Sequence, residues 1–454
     1  MWISLKNKCF QAENSATLAV FRLFFGALLF FSTLRFMAYG WVDTQYVAPL
    51  FHFKYYGFYW VKAMSETGMY AVFVLMAITA IMIAIGLWYR WAMIAYFILF
   101  SYVELVDITY YLNHYYFISL MCFIMCFLPA SDYFSVDSYR NPESERKTIP
   151  AWTIYIIKLQ LGIVYFYAGI AKLNPDWLFD AMPLSIWLQS KSDWPILGTF
   201  FTQKWMAYFF SWSGALFDLC IPFLLFNRKT RIPAYALVVF FHFITWMMFP
   251  IGMFPWIMMC ITWVFFDASV HEKIIAVISK VLPQKKNNIH TGLSSVKTSP
   301  KWENRVLLCG LLFFGFQLLF PFRYALYPGK LFWTEQGFRF SWRVMLIEKA
   351  GTAFFYVTNP ETGVKVEIDN SDFLTPLQEK MMATQPDLLL QYAQIIEKEV
   401  GKRGLRNPKI TAEVYVTLNG RRSHLFIDPE IDLTKLEDSF AHKTWILPYD
   451  DAQH

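Results

Sequence analysis

The chain has 454 residues, of which 56% are hydrophobic, 20% aromatic and only 16% charged, whereas soluble domains carry about 25% charged residues. The net charge is +6, but the basic residues lie mostly in short loops between apolar runs. There is no basic stripe with interleaved aromatics, which excludes a nucleic-acid-binding protein, and the apolar runs exclude a wholly soluble one.

A bilayer is crossed by roughly 20 apolar residues in a helix. Runs of this kind lie at 16–39, 69–89, 91–112, 114–130, 151–173, 205–226, 232–249, 251–267 and 304–322. They predict a polytopic α-helical membrane bundle of about nine spans, with 114–130 and 251–267 the shortest. The first run follows Lys6 and Lys8, is too long for a signal peptide and is expected to stay as a retained helix. The cysteines Cys9, Cys122, Cys126, Cys220, Cys260 and Cys309 all lie in or beside apolar runs, so no disulfide framework holds the C-terminal tail. Cys122 and Cys126, at helical spacing without further ligands nearby, are expected to be small core residues.

Lysine and arginine orient the bundle. Arg90, then Arg140, Arg146 and Lys147, then Arg228, Lys229 and Arg231, then Lys273, Lys280, Lys285, Lys286, Lys297 and Lys301 fall on one side, and only Lys54, Lys62, Lys191 and Lys204 on the other. This places the N-terminus in the cytoplasm and the tail in the periplasm or an equivalent lumen. Residues 41–68, rich in Tyr, Phe and Trp, suit an interfacial helix. Residues 268–302 read as an amphipathic helix followed by a polar, Ser-rich linker.

The membrane part is expected to occupy 1–330, with a soluble α+β domain over 331–454. FRFSWRVMLIE alternates like a strand. GTAFFYVTNPETGVKVEI reads as a hairpin around Asn359–Gly363, residues 374–402 as one or two helices, and ITAEVYVTLNGRRSHLFI as a second hairpin with an Asn-Gly turn.

Ionisable groups inside spans are costly and often functional. Lys172 ends the fifth run, in YFYAGIAKLNPDW. Asp218 and His242 lie inside the sixth and seventh, Glu104 and Asp107 in the third, and Asn113 and His114 where the third meets the fourth. The orientation puts Asn113, His114 and Lys172 at outer ends, where with His242 they are able to share one outward-facing cavity. A lysine desolvated in an apolar pocket is a candidate general base, and aromatic walls suit a flat lipophilic quinol. Structural readings stand beside these. Lys172 can snorkel to the interface, His242 can bond a backbone carbonyl, Asp218 can pair with a neighbouring polar group to hold the bundle, and Glu104 and Asp107 can line the cavity or pair with Arg35.

VYFYAGIAKLNPDW, residues 164–177, resembles the active-site segment of the vitamin K-dependent gamma-glutamyl carboxylases. The similarity continues in order through Asn113-His114, SDYFSVD at 131–137, FDLCIPFLLF at 217–226, FHFITWMMFPIGMF at 241–254, WTEQGFRFSW at 333–342 and FIDPEIDL at 426–433. The resemblance implies that Lys172 is the base that deprotonates vitamin K hydroquinone, with His114 close by, and that Asn113, Tyr165, His242 and Phe254 line the quinol site. It implies oxidation of the quinol to its epoxide by O2, coupled to uptake of CO2 by a glutamate γ-carbon of a protein or peptide substrate, with no metal. Trp333, Phe338 and Trp342 fall where the family places its glutamate-peptide region. A compact bacterial homologue in the inner membrane is expected to meet menaquinol. Two departures bear on the peptide side: animal enzymes have a histidine at the place of Ile347, and a basic residue at that of Ala171. They keep open a quinol-oxidising enzyme that does not carboxylate. A non-enzymatic transporter or receptor is the third reading, for which no inverted repeat or broken midplane helix speaks. The protein substrate and oligomeric state are not legible.

Overall fold

A computed structural model describes residues 2–195, 197–280 and 299–449. The helices that organise it are α1 (Trp2–Phe10), α2 (Ala16–Ala38), α3 (Glu66–Ile85), α4 (Tyr89–Val106), α5 (Asn113–Met125), α6 (Trp152–Ala171), α7 (Lys204–Phe226), α8 (Arg231–Met248), α9 (Phe254–Ile261), α10 (Ala268–Ser279), α11 (Pro300–Leu319), α12 (Pro376–Met382) and α13 (Pro386–Lys402). The strands are β1 (Ala12–Asn14), β2 (Thr148–Pro150), β3 (Lys349–Thr358), β4 (Lys365–Ile368), β5 (Lys409–Leu418) and β6 (His424–Leu425).

Among the described residues seven helices are long and apolar enough to cross a membrane: α2, α3, α4, α6, α7, α8 and α11, the last running on in 3₁₀ form to Leu326. The two shortest expected spans fall short. Helix α5 has 13 residues, about 20 Å of rise against a hydrocarbon core of about 30 Å, and α9 continues as one 3₁₀ turn only to Phe265. Helix α5 begins where expected but already ends at Met125, ahead of Pro129, while α4 stops at Val106 because of Asp107. Its carboxylate accepts from Thr109 N (2.9 Å) and Thr109 Oγ1 (2.7 Å), and this local bonding ends α4 and starts a separate turn before α5. Large apolar side chains stay exposed along the outer faces, Leu312, Phe316 and Leu319 on α11 and Phe240 and Phe243 on α8 among them, as a lipid-facing surface requires.

At one end of the bundle β1 pairs antiparallel with β2, the Asp137 carboxylate accepts from Trp88 N and Tyr89 N at the start of α4, and Arg231 and Arg228 both bind Asp267 at 2.8 Å. The basic loops thus gather at a single end. Lys285, Lys286, Lys297 and the Ser-rich linker lie outside the described residues.

At the other end sits the C-terminal domain, an antiparallel sheet of order β4-β3-β5-β6. Alternate residues of β5, Ile410, Ala412, Val414, Val416 and Leu418, face its core against Leu388, Leu389, Tyr392 and Ile396 of α13. Hairpin β3–β4 turns through Gly363 (φ 70°) and β5–β6 through Asn419 (φ 51°) and Gly420 (φ 72°). The expected strand over FRFSWRVMLIE is absent. Phe340, Trp342 and Met345 have φ of 57°, 59° and 54°, left-handed conformations that interrupt a ladder. Nor do residues 41–68 form an interfacial helix. After a single π turn at Asp43–Val47 the segment runs irregularly, and Phe53 and Tyr55 enter the core of the C-terminal domain with Ile108. Backbone groups of Lys54 exchange two hydrogen bonds with the Gln391 amide (2.8 and 2.9 Å), and Gln378 Nε2 reaches Phe51 O (2.8 Å) and Asp107 Oδ2 (3.0 Å).

Candidate active site

The segment AKLNPDW sends each polar side chain to a different partner. Lys172, the residue after the last turn of α6, is buried, and its Nζ lies 2.7 Å from Asp218 Oδ2 on α7, with 8% of each side chain exposed. The same Nζ donates to Ala168 O at 3.3 Å. Asn174 Oδ1 accepts from Trp177 N at 3.0 Å and caps the short helix Pro175–Leu178. Trp177 donates its indole N–H to Ser211 O (2.8 Å) and lays its ring 5.3 Å from Lys172 Nζ. Asp176 turns the opposite way, to Arg421 Nη1 and Nη2 (2.8 Å each) and Asn419 Nδ2 (2.6 Å) of the C-terminal domain. Burial raises the proton affinity of Asp176, but Arg421 and Asn419 outweigh it and hold the carboxyl below its usual range.

The approach of α6 to α7 depends on Gly169. A Cβ there would stand 2.7 Å from Leu219 Cγ and 2.8 Å from Leu219 N, so only glycine lets the helices close enough to join Lys172 to Asp218. Lys172 therefore neither snorkels nor sits in a purely apolar pocket. Asp218 is its pairing partner, the structural role its place in an apolar run suggests.

Deeper along α6, Tyr165 Oη lies 3.0 Å from His242 Nε2, both buried. This is a side-chain partner in place of the backbone carbonyl expected for a buried histidine. Phe217, next to Asp218, stands 5.9 Å from the Tyr165 ring and 6.3 Å from that of His242. Phe254 bridges the two imidazoles, 5.9 Å from His242 and 5.6 Å from His114. His114 makes ring contacts with Tyr115 and Phe254 but no hydrogen bond to a described residue. Tyr165, His242, Phe254 and His114 thus form one aromatic cluster, and Phe217-Asp218 links it to Lys172.

Asn113 faces elsewhere. Its Nδ2 donates to Arg343 O (2.8 Å) and its Oδ1 accepts from Tyr111 Oη (3.0 Å), which in turn accepts from Phe340 N (2.7 Å). The three aromatic residues expected near the peptide are divided. Trp342 is buried in the bundle, stacked on Tyr116 at 4.9 Å, with its Nε1 buried and unpartnered. Trp333 belongs to the core of the C-terminal domain, where its Nε1 donates to Leu447 O (2.8 Å) and its ring meets Phe426. Phe338 is half-buried and touches Phe332. Glu104 forms no ion pair with Arg35 among the described residues, and Arg35 lies over the Tyr39 and Trp41 rings. Asp107 is bonded to Thr109, Gln378 and His52.

A cavity of about 620 Å³ opens where the end of α6, residues 321–343 and the β5–β6 turn converge. Ala171, Leu173, Asp176, Phe332, Arg343 and Arg421 are among its walls. Its walls include the residues on either side of Lys172, but none of Lys172, His114, Asn113, Tyr165, His242, Phe254, Trp333, Phe338 and Trp342 lines it. Asp176, Arg343 and Arg421 are the polar groups that sequence reasoning missed. Of these, only Asp176, inside the Asp-Trp motif, carries a local signal.

No solved structure matches the chain. The family model described as HTTM domain matches residues 10–269, and that described as vitamin K-dependent gamma-carboxylase, lumenal domain, matches residues 302–452. The two matches follow each other in the order of the membrane bundle and the sheet domain, and the chain is an integral membrane protein that belongs to the HTTM domain family and, by both matches together, to the vitamin K-dependent gamma-carboxylase family.

Proposed function

We propose that this protein carboxylates glutamate side chains of a protein or peptide with a vitamin K-type quinol as co-substrate, residues 1–330 holding the quinol and 331–454 facing the peptide. The observation that carries this reading is the buried Lys172–Asp218 pair beside the aromatic cluster of Tyr165, His242, Phe254 and His114.

These residues fit a hydroquinone, a flat apolar ring with two hydroxyl groups. Phe254 and Phe217 supply ring contacts, and among the described residues the His114 nitrogens have no hydrogen-bond partner and the buried Trp342 Nε1 is a donor without an acceptor. When bound, the quinol supplies, with O2, the strong base that removes a glutamate γ-proton before CO2 adds there. Once it has given up its own proton, the Lys172 amine accepts the quinol hydroxyl proton at Nζ. Asp218 compensates the resulting ammonium in a site where an unpaired ion is costly. Trp177 closes the pair from water. His242, oriented by Tyr165, and His114 fix the ring through its hydroxyl groups. Asn113 holds the 340–343 segment on the bundle, with Trp342 beneath it and Phe338 toward the peptide. Trp333 keeps that segment's fold. We place the N-terminus in the cytoplasm and the sheet domain in the periplasm of a bacterial inner membrane, with menaquinol as the resident quinol.

A second reading, quinol oxidation without carboxylation, is favoured by Ile347, an apolar side chain packed against two hydrophobic clusters, one of them the core of the sheet domain. Purified protein given quinol and O2 in detergent tests the shared part of both readings. Epoxide from the wild type and none from Lys172→Ala is the expected result, and equal turnover by both contradicts it.

A further inference from the structure

The cavity beside Lys172 has an uneven assignment of charge. Its two acids, Asp176 and Asp180, are both held by Arg421, at 2.8 and 3.4 Å. Arg343, on the same walls, forms no ion pair with any described residue. Its guanidinium stacks over the Tyr324 ring at 4.4 Å and hydrogen-bonds the Tyr324 side chain, and its Nε is buried with no hydrogen-bond partner among the described residues. The root of the side chain is fixed as well, because Arg343 O accepts from Asn113 Nδ2 at 2.8 Å and the preceding Trp342 is packed between Tyr116 and Phe117. A guanidinium held at its base and along its length, with no carboxylate paired to it among the described residues, is preorganised for a planar anion.

We propose that Arg343 receives the side-chain carboxylate of the substrate and thereby selects glutamate over glutamine. This rests on the carboxylase reading above. The wall position suits it, since Ala171 and Leu173 of the same cavity flank Lys172 in the chain. One fork matches one carboxylate, and Asp176 and Asp180 are already neutralised by Arg421, so the site takes a monoanion at the join of bundle and sheet domain.

The test is binding of two blocked peptides, acetyl-Ala-Glu-Ala-amide and acetyl-Ala-Gln-Ala-amide, to the full chain in detergent, with no quinol present. Wild type is expected to prefer the glutamate peptide by roughly 10-fold or more, the scale of a charge-assisted hydrogen bond. Arg343→Gln abolishes the preference by weakening the glutamate peptide alone. Arg343→Lys, which keeps the charge without the fork, retains part of it. Should Arg343→Gln fail to fold, the lysine variant and the wild-type comparison decide. No preference in wild type, or glutamate binding undiminished in Arg343→Gln, overturns the proposal. Arg343-dependent glutamate binding by a protein that fixes no CO2 leaves this assignment standing and removes the carboxylase reading. Carboxylation with an unchanged KM for the glutamate peptide in Arg343→Gln does the reverse.

Discussion

Lys172 Nζ and Asp218 Oδ2 meet at 2.7 Å with both side chains nearly enclosed, so each is the other's compensating charge among the described residues, in a place where water has little access. Removing one partner of a buried pair costs about 3–5 kcal/mol, because the remaining ion is left uncompensated, whereas replacing both by apolar side chains is often tolerated. Asp218→Ala is therefore expected to lower the thermal midpoint in detergent sharply. Lys172→Met/Asp218→Leu recovers most of that loss while staying inactive with quinol. A double variant as unstable as the single one contradicts the pairing as the source of stability.

Gly169 sets the separation of α6 and α7. Gly169→Ala places a methyl group 2.8 Å from the Leu219 backbone nitrogen, and overpacking of this kind costs about 1–3 kcal/mol. Turnover should fall with stability, and trimming the neighbour with Leu219→Ala should rescue only part of it, because the clashing backbone atom remains. Full rescue would show that the side chain alone sets the limit.

Tyr165→Phe removes the hydroxyl that His242 meets at 3.0 Å. Leaving a buried imidazole nitrogen without its partner costs about 1–3 kcal/mol. The expected outcome is a KM for quinol raised roughly 5- to 100-fold, with the KM for a glutamate peptide changed by less than about twofold at saturating quinol. An unchanged quinol KM would separate the tyrosine from the quinol site.

The docking of the sheet domain carries a pH signature. The Arg421–Asp176 contact holds the Asp176 carboxyl below its ordinary value, so the folded state binds this proton less well than the unfolded state. Such a group contributes its full stability above the unfolded value of about 3.9 and loses it as pH falls through the lower folded value. The difference in thermal midpoint between wild type and Asp176→Asn should therefore be constant from neutral pH to about pH 5 and shrink below about pH 4. A difference independent of pH down to about 3 would refute this role for the carboxylate.

Hydropathy located the membrane helices to within a few residues where an apolar run was long, and overshot at the end of α4, where the Asp107 side chain diverts the backbone in a way that average hydropathy does not register, and at the end of α5, which stops at Met125 ahead of Pro129. The alternation in FRFSWRVMLIE imitates a strand, yet Trp342 turns back into the bundle with positive φ while Trp333 enters the other core. That division follows from tertiary packing and has no local signal. Lys172, Asp218 and His242 were conspicuous as ionisable residues in apolar runs. Their pairing was not, since Lys172 and Asp218 are 46 residues apart and Tyr165 and His242 are 77 apart, and such contacts depend on how α6, α7 and α8 pack. Arg421 and Asp176, 245 residues apart, are ordinary charged residues in sequence and become a junction only in the fold.

The most direct measurement of the central claim follows two products in one reaction. Purified protein in detergent receives a vitamin K-type quinol, O2, labelled bicarbonate and a glutamate peptide, with Lys172→Ala and the folded Lys172→Met/Asp218→Leu variant as controls. Epoxide and fixed label appearing together in wild type, and neither in the controls, is the predicted result. Label fixed without Lys172, or neither product from a wild type that also fails to bind quinol, would contradict it.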